Sequence, residues 1–487
     1  MPEINEGLLD ERLAALEAAK AWSPRVVSKL ENHIRAADDL DLFRINPCTF
    51  AVRKGVGEAE TIDLFLHASA LGLFMMDWIL LCPLCSCVID SFQALRNLDS
   101  HCRCNICHVD FDAALDDQIA VAFTINPDIR RIAYHDPESL SLADYSYRYK
   151  AALEGLMPDG APFTALKEMA TAALSRLEPG TTASMDVSVE GGLLRGFSVD
   201  YDPGFWLTVD PALPAAEQRI SMRCDDTACD PAEGTVAPGR VTFDIINAST
   251  RRHVFAILAL PPGATLPPLH FAPFLSGKQL LTTQTFRDLF RSEATSHGIG
   301  IRDITLLFTD LKGSTALYDR IGDLNAFSLV QQHFDRLQHV TVRHDGAIIK
   351  TIGDAVMAAF RTPTDAVRAA LEMRAEIASF NSGSPDAKLI LKIGLHNGAV
   401  IAVTLNDRLD YFGQTVNIAA RVQNLADADE IVVSQDVYES AGVRDELAPF
   451  AVEPSKTQLR GVEQEFSVFR VSSARMVGQL AVSGTPT

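Results

Sequence analysis

The rhythm of apolar and polar positions changes three times along the chain. Residues 8–37 read as two helices, LLDERLAALEAAKAW and PRVVSKLENHIRAA, with apolar side chains at helical spacing. A Pro-containing patch at 43–52 reads as strand-like, and 58–73 as a helix. The longest apolar stretch, 68–82, reads as a buried core helix. It carries Asp77 and is shorter than the ~20 residues that a membrane-spanning helix requires. From about 182 to 260 the texture becomes short alternating runs with Gly, Asp and Pro between them. SMDVSVEGG, FWLTVD, RVTFDIIN and HVFAILALP read as strands of a β-rich, sandwich-like module. A Pro-rich stretch then leads into KQLLTTQTFRDLFRSEA, read as a short linker or transducer helix.

The third change comes at 299. ITLLFTD reads as a buried strand ending in a carboxylate. LNAFSLVQQHFDRLQHVTVRH reads as a helix with Phe327, Val330, Phe334, Leu337 and Val340 on one face. GAIIKTIGDAVMAAF reads as strand, tight turn and strand, with Gly353-Asp354 at the turn. TPTDAVRAALEMRAEIASF starts with the Thr and Pro of a helix N-terminus. KLILKIGLHNGAVIAVTL reads as a second hairpin turning at Asn397-Gly398. FGQTVNIAARVQNLA reads as a helix, and EIVVS and EFSVFRV as strands. The expected fold class is α+β. An α+β region (1–135) is followed by the β-rich module (136–270) and the linker (271–298). A domain with a mostly antiparallel sheet flanked by helices (299–471) and a tail (472–487) complete the expected organisation.

Composition narrows the function classes. The chain has 487 residues and a formal net charge of −20, with 47% apolar and 22% charged residues. That acidity speaks against binding nucleic acid or an anionic membrane through bulk charge. Most of it, an excess of fifteen carboxylates, lies in residues 1–298. Nine Cys are too sparse for a disulfide scaffold. The first ten residues have no apolar signal-peptide core, so the expectation is a cytoplasmic protein with reduced thiols and no membrane segment.

Two carboxylates stand out as chemistry. Asp310 ends a buried strand and Asp354 sits on a hairpin tip. Converging in space, they form a site for Mg²⁺, a hard cation that shares phosphate oxygens. Alone, each reads equally as a helix cap or a turn residue. After Asp310, the small residues Gly313, Ser314 and Thr315 open a helix, where free N–H groups face a phosphate.

Together, FTDLKGST, KTIGDAVMAAF and LDYFGQTVNIAAR resemble the class III nucleotidyl cyclases, the adenylate and guanylate cyclase family. The resemblance covers about 299–471 and implies a ferredoxin-like core. It also implies roles. Asp310 and Asp354 match the aspartates that hold two Mg²⁺ or Mn²⁺ ions per site. Lys350 and Asp410 match the pair that reads adenine. Asn417 and Arg421 match the pair that orients the ribose and stabilises the transition state. Arg460 lies where the family places a basic residue for the triphosphate. ATP is the implied substrate, 3′,5′-cyclic AMP and pyrophosphate the implied products, and a head-to-tail homodimer the implied assembly. The other reading is a catalytically silent, nucleotide-binding signalling protein. His396 reads as a structural histidine.

Cys82-x2-Cys85 and Cys104-x2-Cys107, separated by 18 residues, have the spacing of a tetrahedral structural Zn²⁺ ribbon. Cys87, Cys102, His101 and His108 are close enough in sequence to replace one of the four ligands. The order of zinc ribbon, β-rich module and cyclase resembles a group of soluble bacterial cyclases. It implies that the N-terminal region regulates the enzyme through an unknown ligand or partner.

Overall fold

The computed structural model describes residues 4–98, 101–265, 267–291, 298–383, 388–405, 408–459 and 465–474. They form two compact units. One comprises Met1–Ala113 and Asp117–Gly277, the other Ala114–Asp116 and Lys278–Thr487. No helix among the described residues is long and apolar enough to cross a membrane.

The first unit begins with helices Glu6–Ala19, Val26–Ala36, Pro47–Lys54 and Glu58–Ala70, packed on a sheet of strands Val88–Phe92, Phe74–Leu81 and Ile119–Ile125. Its core is aromatic, with Phe65 against Phe50, Phe74 and Phe123. Two expectations fail here. The patch at 43–52 is not extended, because Asn46 caps a helix: its Oδ1 accepts the Cys48 N–H at 3.0 Å, and Pro47 stands at the first helical position. The apolar stretch 68–82 is not a helix. Gly72, at φ +80°, ends the preceding helix, and Phe74–Leu81 continues as a central strand.

The β-rich part is a sandwich, as its alternation predicts. A five-stranded sheet runs Glu233–Val236, Gly204–Val209, Gly192–Ser198, His253–Leu260, Thr171–Leu177. A four-stranded sheet runs Cys229–Asp230, Gln218–Cys224, Gly239–Asn247, Thr182–Val189. Inward Phe205, Phe243, Phe255 and Met222 fill the space between them. The expectation of reduced thiols throughout fails for one pair. Cys224 and Cys229 face each other in antiparallel register and form a disulfide.

In the second unit the strands are labelled in chain order: β1 (Ile299–Leu311), β2 (Gly346–Ile352), β3 (Ala355–Phe360), β4 (Leu391–Leu405), β5 (Arg408–Phe412), β6 (Ile431–Ser434), β7 (Phe450–Gln458) and β8 (Glu465–Ala474). The helices are α1 (Ser314–Ile321), α2 (Asp323–Arg343), α3 (Pro363–Gly383) and α4 (Gln414–Asn424). The sheet order is β2-β3-β1-β4-β6-β8-β7, with β5 paired to β4. All neighbours are antiparallel except β4 and β6. Ala114–Asp116 joins this unit: the Leu115 N–H donates to Gly300 O at 3.0 Å, and Asp116 accepts from the Arg302 N–H at 2.7 Å.

Asn397-Gly398 does not turn. Both lie inside the single long strand β4, opposite Thr305 and Ile304. Gly398 is needed for space instead, because a Cβ there would meet Thr415 Oγ1 of α4 at 2.9 Å. Gly394 is tighter still: its Cβ would fall 2.2 Å from the Gln423 backbone. We expect Gly394→Ala to lift α4 off the sheet and cost about 1–3 kcal/mol, read as a lower denaturation midpoint. Along α2, Val330, Leu337 and Val340 are buried as predicted, whereas Phe327 is 65% exposed. The linker is two short helices, Gly277–Leu281 and Gln284–Leu289. The second docks on the sheet of this unit, with Gln284 Oε1 accepting the Ile348 N–H and Arg287 donating to Leu409 O.

Candidate active site and metal centre

Asp310 stands next to the end of β1, opposite Lys392 of β4. The β2–β3 hairpin turns at Gly353 (φ +65°), which favours glycine, and Asp354 follows. Thr309 ties the hairpin to β1, its Oγ1 accepting the Val356 N–H at 3.2 Å. The two carboxylates are therefore brought together from separate strands. Burial raises the Asp310 pKa, and the negative charge of Asp354 raises it further. Asp354 Oδ2 is buried and has no hydrogen-bond partner among the described residues.

On the other side of the same sheet edge, a bulge between Ile348 and Lys350 sets the aim of Lys350. Its Nζ donates to Asp410 Oδ2 of β5 at 2.5 Å. Asp410 is buried, and its other oxygen accepts the Tyr411 N–H at 2.8 Å. The predicted Lys–Asp pair is thus one donor–acceptor unit.

The α4 helix turns Ile418, Ala419 and Val422 inward. Asn417 is exposed and Arg421 half-buried, one turn apart on the outer side of that seam. Neither side chain makes a hydrogen bond or an ion pair among the described residues, so both remain available to a ligand. Gly313 takes a left-handed conformation (φ +77°) just before α1, which Ser314 and Thr315 open. Arg460 lies outside the described residues, as does the tail from 475.

Residues 299–470 match the family model "Adenylate and Guanylate cyclase catalytic domain". Residues 299–470 thus form a class III nucleotidyl cyclase catalytic domain. Residues 9–288, more than half of the chain, match a second model, "Family of unknown function (DUF5939)", and the chain belongs to that family. Among curated relatives, an adenylate cyclase of Lachancea kluyveri is 31% identical over 154 residues, 28% of this chain and 8% of that protein. Guanylate cyclase 2G of Mus musculus is 31% identical over 144 residues, 27% of this chain and 13% of that protein. This chain thus spans well under two thirds of these relatives. The crystal structure of the adenylyl cyclase CyaB from P. aeruginosa aligns at 19% identity and TM-score 0.32, over 37% of this chain and 98% of that one.

Class III cyclases use divalent metals. The carboxylate pair fits such ions, because Asp354 offers a buried oxygen that no protein donor satisfies, beside a second carboxylate. One further residue at this site escaped the sequence reading. His333 of α2 is fully buried, and neither ring nitrogen is hydrogen-bonded among the described residues. Burial pushes its pKa down to about 4, against the pull of the Asp354 charge. Its signal was its place on the apolar face, three residues after Val330 and four before Leu337. His396 is structural: buried on β4, its Nδ1 lies 2.9 Å from Ser434 Oγ.

In the N-terminal unit, the sulfurs of Cys82, Cys85, Cys104 and Cys107 all lie within 4.8 Å of one another. The pairs Cys82–Cys107 and Cys85–Cys104 are 3.9 and 3.8 Å apart. Zn–S bonds of ~2.3 Å at tetrahedral angles require S···S separations of about 3.8 Å, so the cluster fits zinc. The Cys107 N–H donates to Cys104 Sγ at 3.3 Å, a contact that steadies a thiolate. Cys87 stands 3.4 Å from Cys104 but outside the four, and hydrogen bonding to Cys104 pushes its thiol pKa up. Both candidate histidines are engaged elsewhere: His101 Nδ1 lies 3.0 Å from Asp112, and His108 faces Asp202 at 3.6 Å. Cys102 is buried on the strand His101–Cys104, outside the group of four.

Proposed function

We propose that the chain is an adenylate cyclase, converting ATP to 3′,5′-cyclic AMP and pyrophosphate in a head-to-tail homodimer. The observation that carries the base choice is the Lys350–Asp410 pair. Adenine offers an amine donor beside a ring-nitrogen acceptor. Asp410 accepts from the amine and Lys350 donates to the ring nitrogen. Guanine in the same orientation turns a carbonyl towards Asp410 and leaves buried polar groups mismatched.

The residues divide the remaining work. Asp310 and Asp354 would hold the divalent metals, which supply an acidified 3′-hydroxyl and a neutralised triphosphate. Gly313 and the start of α1 present backbone N–H groups to phosphate. Asn417 orients the ribose. Its 3′-oxygen loses a proton and attacks the α-phosphorus while the bond to pyrophosphate breaks. Arg421 meets the charge that develops there. Proximity contributes much of the rate, because nucleophile and phosphorus belong to one molecule.

The dimer reading rests on the surface around α4. Phe412 is 64% exposed, and Ile401 and Leu405 of β4 are also exposed. An apolar surface beside the unpartnered Asn417 and Arg421 suits a second copy, so that each site takes groups from both chains. The N-terminal unit is read as the regulatory part of this enzyme.

Incubating the purified chain with ATP or GTP, and Mg²⁺ or Mn²⁺, tests the reading. Cyclic AMP from ATP, at a rate at least about tenfold above the GTP reaction, is expected. No cyclic product from ATP with either metal refutes it. Lys350→Glu should relax the base preference while metal-dependent turnover persists; an unchanged ATP preference would remove the adenine role from Lys350.

A further inference from the structure

We propose that the helical part of the N-terminal unit holds a binding site for a small organic anion with an apolar body. A cavity of about 520 Å³ opens there between the helices Val26–Ala36 and Pro47–Lys54. That volume is within the ~300–1,000 Å³ of small-molecule sites. A second, smaller cavity shares Phe43, Arg44, Asn46, Leu153 and Glu154 with it and is otherwise lined mostly by aliphatic side chains.

Arg44 stands where the two cavities meet. Its backbone is left-handed (φ +48°), a conformation that a non-glycine residue keeps only when its surroundings hold it. Here they do. The Arg44 N–H donates to Thr124 Oγ1 at 3.1 Å, Nη1 to Tyr149 O at 2.7 Å and Nη2 to Ser91 Oγ at 2.9 Å. The guanidinium lies 4.7 Å from the Phe43 ring centre and 5.1 Å from that of Tyr149. Its Nε is buried with no partner, and it has no ion pair among the described residues.

Asp77, Glu154 and Asp90 lie near enough for their charge to pull on the guanidinium, but none forms an ion pair with it among the described residues. The Asp77 carboxyl is hydrogen-bonded to Thr124, and burial raises its pKa. Burial raises that of Glu154 as well. Burial in turn pushes Arg44 below the usual guanidinium range, against the pull of Asp77. A buried cation with a spare donor and no ion pair among the described residues is stabilised by an incoming anion. At the rim, Lys54 adds a further cation, and Arg53 pairs with Asp41 at 3.2 Å. Phe43 and Phe50 supply apolar wall for the body of the ligand. A carboxylate or a phosphate head satisfies the same donors.

Titrating the full-length, zinc-loaded chain with three naphthyl probes tests this. 1-Naphthoate and 1-naphthyl phosphate carry the two head groups, and 1-naphthalenemethanol is the uncharged control. Saturable binding of at least one anion and a higher Tm are expected, with the alcohol about tenfold weaker or more. The tighter anion identifies the head group. Arg44→Gln should weaken that anion about tenfold or more, and Asp354→Asn in the catalytic unit should leave it unchanged. If Arg44→Gln does not fold, Arg53→Gln combined with Lys54→Gln at the rim should weaken binding about threefold or more. Equal binding of the alcohol, no saturable binding of either anion, or loss of binding in Asp354→Asn overturns the proposal. So does unchanged affinity in Arg44→Gln or, where that variant does not fold, in the rim variant. None of these readings uses cyclase activity, so the site stands or falls separately from the ATP assignment.

Discussion

Asp354→Asn should abolish cyclic nucleotide formation, by about 10³-fold or more, while leaving the protein folded. The amide is nearly isosteric with the carboxylate, so hairpin packing is retained. What is lost is the charge and one metal-binding oxygen, and a metal that stabilises a phosphoryl transition state contributes several kcal/mol. In the metal-free protein the substitution should cost no stability. Asp354 Oδ2 has no donor to lose, and its charge opposes that of Asp310. The discriminating measurement pairs the cyclase assay with a thermal melt in EDTA and in Mn²⁺. The wild type should gain Tm on adding Mn²⁺ with nucleotide, and the Asp354→Asn variant should gain little. A variant that loses activity because it no longer folds assigns Asp354 a structural role. A variant that retains activity removes it from the metal site.

Zinc removal should be equally severe at the other end of the molecule. The purified chain is expected to carry about one Zn per chain, and Cys104→Ser should release most of it. Cys104 is fully buried among the other sulfurs, so the loss leaves thiols crowded together with nothing to bind them. Structural zinc contributes an apparent ~10–16 kcal/mol in small modules, comparable to the whole stability of a domain. A strong chelator or Cys104→Ser should therefore unfold the hairpin His101–Cys104/Val109–Asp112 and lower the first thermal transition. Cys87→Ser should keep its zinc, because Cys87 lies outside the group of four. Full stability without metal, or loss of zinc in Cys87→Ser alone, would contradict the four-cysteine assignment.

Much of this was legible in the sequence because the chemistry sits where local patterns are strongest. The hairpin carrying Asp354 declared itself by strand alternation on both sides of Gly353, and the cysteine ribbon by spacing. The failures have two sources: local caps at Asn46-Pro47 and Gly72 that periodicity does not register, and tertiary contacts that overrode local propensity. Asn397-Gly398 has the composition of a tight turn. Its Gly is there because α4 crosses at Thr415, a long-range fact that no local window contains. The apolar run through Asp77 was too uniform for periodicity to separate helix from strand. Asp77 itself is accommodated by a hydrogen bond from Thr124, 47 residues further along the chain. His333 was hard to read for a related reason: its place on an apolar helix face is a signal that points to no site until the fold shows what lies above it.

The short segment Ala114–Asp116 gives the catalytic unit a property that its sequence motifs conceal. The unit is not one uninterrupted piece of polypeptide. Three residues contributed from far upstream supply an N–H to Gly300 O, a carboxylate to the Arg302 N–H, and, through Asp116, a partner 3.3 Å from Lys278 Nζ. A gene fragment beginning at residue 299 therefore encodes every motif of the cyclase but not the whole of its folded body. It leaves Gly300 O and the Arg302 N–H without these partners at the start of β1. Shuffling this module between proteins as a portable cassette would carry that defect with it, and the upstream region is to that extent a part of the catalytic scaffold.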